Sequence, residues 1–116
     1  MSSRPLSESS YKNDPRFRAL CMAVASCNTD VEAAALLRDL GTLSELQAWS
    51  ERLEVAKQLF AGKTYREVAA NTGASTTTVT RVGQTLKNGT GGYSAFLKHQ
   101  QKPEEKKKDQ ALRKYL

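Results

Sequence analysis

The stretch "STTTVTRVGQTLK" at 75–87 concentrates side chains that can make directed contacts: Thr76, Thr77, Thr78, Thr80, Arg81, Gln84 and Lys87. A threonine hydroxyl can donate or accept at a base edge, and its methyl group can meet the methyl of thymine. Arg81 and Lys87, with Arg66 just upstream, suit guanine edges or phosphates. Ser75 stands before the run as a helix cap. This is the chemistry of recognition. Nothing in the chain pairs a nucleophile with a base, sets two carboxylates in an apolar setting, or clusters metal ligands, so no enzymatic activity, cofactor or metal is expected.

The conformation of the stretch must be settled first, because β-branched residues lose rotamer freedom in helices and favour strands. A half-buried strand would place apolar residues two apart. Here Val79, Val82 and Leu86 are spaced three and four, so the period predicts a helix from Thr76 to Lys87. Upstream, Tyr65 to Thr72 has its own capping box, Thr64 with Glu67. Two short helices joined by the turn "GAS" make a helix-turn-helix over 64–87. Ala69 is small where the helices would cross, Gly73 can take the left-handed conformation of a sharp turn, and Val68, Val79 and Val82 would be buried between them.

The elements that hold this unit are also helices. Asp14 followed by Pro15 is a cap with proline at the first helical position, and Phe17, Leu20, Cys21 and Val24 recur behind it. Thr29 or Asp30 caps a second helix, "VEAAALLRDL", which Gly41 ends. Thr42 with Glu45 forms a capping box for a third, stopped at Gly62. That helix carries Leu46, Trp49, Leu53, Ala56 and Phe60 as a stripe suited to a core or to an intermolecular seam. "NGTGGY" reads as a hinge before a sixth short helix, "YSAFLK", with Tyr93, Phe96 and Leu97 packing back. The fold class is all-α.

Composition sets the outer bounds. The chain has 116 residues, 39% of them hydrophobic, enough for one modest core. No run approaches the apolar length of a bilayer span, and the N-terminus has no secretory apolar segment, so a cytoplasmic location with no membrane partner is expected. Cys21 and Cys27 read as small buried hydrophobes in a reducing compartment. The net charge of +6 leans toward an anionic partner, and residues 98–116 alone contribute +4. Residues 1–13 read as a flexible arm, 14–97 as a helical dimerisation core with the helix-turn-helix, and 98–116 as a basic tail around His99, the only histidine.

The string "LLRDLGTLSELQAWSERLEVAKQLFAGKTYREVAANTGASTTTVTRV" resembles the Trp repressor superfamily, and more closely its small bacterial relatives. The resemblance runs from about Phe17 to Leu97. It implies an intertwined all-helical homodimer that binds double-stranded DNA through the helix-turn-helix. It also implies an effector pocket, with Thr42, Arg52 and Arg81 matching the positions that hold L-tryptophan in the Trp repressor. Val82 departs from the pattern: the Trp repressor has a glycine there beside the indole, so L-tryptophan is not expected to bind and the effector stays open. The expectation is a sequence-specific transcriptional regulator, acting as a repressor. The alternative is a dimeric helix-turn-helix adaptor or antirepressor whose polar helix face never meets DNA.

Overall fold

A computed structural model describes residues 4–100. Among them the chain is helical and contains no strand. A single 3-10 turn at Tyr11–Asn13 leads into α1 (Pro15–Ala25), α2 (Asp30–Leu40), α3 (Leu43–Phe60), α4 (Tyr65–Thr72) and α5 (Thr76–Asn88). A sixth helix, α6, occupies 92–100. The chain divides into two compact units, Met1–Leu46 and Gln47–Leu116. The predicted tail lies almost wholly outside the described residues.

In the first unit the helix starts are made by local hydrogen bonds. Asp14 Oδ1 accepts from the backbone N–H of Arg16 at 2.8 Å and of Phe17 at 3.2 Å. The bond from the Phe17 amide, followed by one from the Arg16 guanidinium to Oδ2 at 3.4 Å, holds the Asp14 carboxyl below its ordinary value. Thr29, not Asp30, caps α2, with Oγ1 accepting from Glu32 N–H at 3.1 Å. The Glu32 carboxylate accepts from the N–H of Asn28, the residue before the cap, at 2.7 Å. Neither α1 nor α2 has a buried residue. Met22 is 72% exposed and Val31 74%. Short helices gain most of their stability by packing an apolar face, so this exposure calls for a covering surface. Cys21 is exposed and Cys27, just past the end of α1, is half-buried, which corrects the expectation that both are buried hydrophobes. The Cys27 thiol faces the Ala23 carbonyl at 3.6 Å.

The second unit holds the core: Val55, Ala56, Val68, Ala74, Val79, Val82 and Leu97. Leu59, Phe60, Ala69, Leu86 and Tyr93 pack against it. The predicted α3 stripe is therefore divided. Ala56 and Phe60 join the core, while Trp49 and Leu53 are each 40% exposed. Val55, off the stripe, is completely buried instead. Neighbouring positions on a helix lie about 100° apart, so a core centred on Val55 and Ala56 turns the Trp49–Leu53 row toward the flank. From α6, Leu97 is buried and Phe96 is 44% exposed.

Candidate nucleic-acid interface

The turn between α4 and α5 is made by local chemistry. Thr64 Oγ1 accepts from Glu67 N–H at 3.2 Å, and the Glu67 carboxylate accepts from Thr64 N–H at 3.3 Å, completing the capping box. At the other end, Gly73 takes φ 73°, the left-handed value that only glycine adopts without cost. Thr72 Oγ1 donates to the Val68 carbonyl at 2.7 Å and accepts from Ala74 N–H at 3.2 Å. Ala74 can thus be buried in the turn without an orphaned amide. Ser75 Oγ then caps α5 by accepting from Thr78 N–H at 3.1 Å.

α5 is held on one face by Val79, Val82 and Gly83, all buried. The opposite face gathers Thr76, Thr77, Thr80, Arg81 and Gln84 around one shallow depression. Successive turns bring these together because residues three and four apart share a helix face. No acidic residue lies on α5, so nothing on this face repels an anion. Ser75 is exposed, yet its hydroxyl is committed to the cap and to Thr78 Oγ1 at 3.0 Å, and Thr78 is half-buried. Arg66 is exposed on α4, and Lys87 lines a separate recess near the end of α5; neither borders the depression.

The residues assigned to an effector pocket stand differently. Thr42, in the first unit, is engaged by its capping box: Oγ1 accepts from Glu45 N–H at 3.1 Å, and its own N–H donates to Glu45 Oε1 at 2.9 Å. In the second unit Arg52 is half-buried and Arg81 exposed. Val82 is 2% exposed and belongs to the hydrophobic core.

Sequence reasoning missed the role of Gly83. A β-carbon built there would collide with the Tyr65 hydroxyl and lie 2.7 Å from Cζ, so the tyrosine that opens α4 rests on a glycine of α5. The signal was available: glycine inside a helix costs about 1 kcal/mol relative to alanine and needs a packing reason.

Residues 16–101 match the protein-family model described as "Trp repressor protein". The chain is 44% identical over 59 residues to the uncharacterized protein YerC of Bacillus subtilis (strain 168), a match spanning 51% of this chain and 57% of YerC. The crystal structure of a TrpR-like protein from Eubacterium eligens is similar with a TM-score of 0.71 and 34% identity, over 75% of this chain and 90% of that one. A candidate Trp repressor from Staphylococcus aureus is similar with a TM-score of 0.75 and 29% identity, over 83% and 96% of the two chains.

Proposed function

Since the chain belongs to the Trp repressor family, a family of helix-turn-helix regulators, we propose that it is a sequence-specific DNA-binding repressor that works as a homodimer. The observation that carries this reading is the division of α5. Its apolar side is buried in the core, and its polar side presents Thr76, Thr77, Thr80, Arg81 and Gln84 as one continuous surface. Recognition helices of this motif lay such a face in the major groove with their N-terminal residues at the base edges. Hydroxyl, amide and guanidinium groups in that position can discriminate among bases.

Dimerisation is supported by apolar surface that one chain leaves open. Trp49, Leu53 and Phe96 are exposed in the second unit, and α1 and α2 have no fully buried residue. A second copy is the occupant that the family implies. Two reading heads would then contact half-sites about 34–36 Å apart on the duplex. Among the described residues no helix is long and apolar enough to cross a membrane.

Selection of bound fragments from random double-stranded DNA tests the proposal. Enrichment of a two-fold symmetric motif with half-sites one helical turn apart is the expected result. Recovery of unenriched DNA would overturn sequence-specific reading and favour the adaptor. Sedimentation at micromolar concentration tests the assembly separately: a monomer of unchanged helicity removes the dimer.

A further inference from the structure

A second recess, sharing no residue with the threonine-lined depression, lies between the end of α3, the start of α4, the later part of α5 and α6. Its volume of about 380 Å³ falls in the range of small-molecule sites. Leu59, Phe60 and Leu86 supply apolar walls, and Gly83 contributes no side chain. Around them stand Lys63, Lys87, the Tyr65 hydroxyl and Ser94. Among the described residues, none of these four side chains has a hydrogen-bond or ion-pair partner, apart from the close approach of the Tyr65 hydroxyl to Gly83. No carboxylate lines the recess.

We propose that this recess binds a small molecule that joins an apolar ring to one anionic group, a carboxylate or a phosphate. Two lysines lining an apolar concavity that no carboxylate lines favour an anion there. The hydroxyls of Tyr65 and Ser94 add donors for the anion's remaining lone pairs. The ring would lie against Leu59, Phe60 and Leu86. Tyr65 is the adjustable wall: it is 40% exposed, and its ring rests on Gly83 without a hydrogen bond to hold it. Because Gly83, Leu86 and Lys87 belong to α5, an occupant touches the helix that carries the polar face. The site does not depend on DNA binding, and it is made of residues other than Thr42, Arg52 and Arg81.

The test is an amide NMR titration of the full chain, without DNA, using phenylacetate, phenyl phosphate and neutral phenylacetamide. Saturable shifts at Lys63, Gly83, Leu86 and Ser94 are expected with the anions, with phenylacetamide about fivefold weaker or worse. The carboxylate and phosphate arms identify which anion the recess prefers. Lys63→Gln, an exposed change, should weaken the anions about threefold or more and leave phenylacetamide unchanged. Equal response to all three probes, anion shifts confined to the α5 polar face, or no response to about 10 mM would each overturn the proposal. So would concentration-dependent shifts of the recess residues without any probe, which would mark the recess as part of a self-association surface.

Discussion

The phenol of Tyr65, at the first position of α4, sits directly over Gly83, in the middle of α5. α4 and α5 are the two helices of the helix-turn-helix, and this contact ties the start of one to the middle of the other. The same contact explains why a glycine stands inside a helix whose other buried residues are valines.

The pair can be separated by a mutant cycle. Gly83→Ala adds helix propensity of about 1 kcal/mol but forces the Tyr65 ring outward. In a Tyr65→Ala background that obstacle is gone. Thermal unfolding should therefore show a larger gain from Gly83→Ala when residue 65 is alanine than when it is tyrosine, with a coupling of roughly 0.5–1 kcal/mol. Additive effects would mean that the ring and the glycine do not constrain each other.

Acid should loosen the start of α3 through Glu45. The hydrogen bond from the Thr42 backbone, followed by that from its side chain, holds this carboxyl below its ordinary value of 4.5. A depressed folded-state value means that the stabilisation is fully present above the unfolded value and is lost as pH falls through the folded one. Glu45→Gln keeps an acceptor but does not titrate. Between neutrality and the acid side of 4.5, helix content should decline less steeply in Glu45→Gln than in the unmodified protein; parallel curves would refute the assignment.

The reading face and the flanking cations should behave differently on DNA. Thr77→Ala or Thr80→Ala should cost roughly 1–3 kcal/mol on the selected site and much less on random DNA. Lys87→Ala should weaken both alike and flatten the salt slope by about 0.9 for each phosphate contact removed. Titrations at several salt concentrations on both DNAs separate the two behaviours. If the threonine variants lose affinity equally on both, α5 does not read sequence.

Free L-tryptophan should not tighten DNA binding. Val82 stands where the Trp repressor has glycine, and its side chain is packed in the core, so making room for an indole would mean displacing buried valine. Isothermal calorimetry of the unmodified protein should register no binding. Val82→Gly opens the space at the cost of core packing, so its affinity is to be read beside its melting temperature. Clear heat from the unmodified protein would show that the steric argument is wrong.

Helix boundaries were legible in the sequence because capping is a local event. Asp14, Thr29, Thr42 with Glu45, Thr64 with Glu67, and Ser75 each satisfy backbone N–H groups within four residues, so a short window contains the whole interaction. The helix-turn-helix was legible for the same reason, since Gly73 and the valine spacing lie within one continuous stretch. The polar face of α5 follows directly from that spacing.

Three-dimensional packing decided the rest. On α3 the sequence offers two apolar rows, and only the positions of α4, α5 and α6 select Val55 and Ala56 for burial while leaving Trp49 and Leu53 open. The surroundings of Thr78 and Lys87 were decided the same way: the first is hydrogen-bonded to the Ser75 cap, and the second borders a recess with Tyr65 and Ser94. No periodic pattern links Tyr65 to Gly83, because the two meet only once the chain has turned at Gly73. A helix's own period identifies which of its residues share a face. Which face is buried depends on neighbours far along the chain, and the sequence of one helix does not contain them.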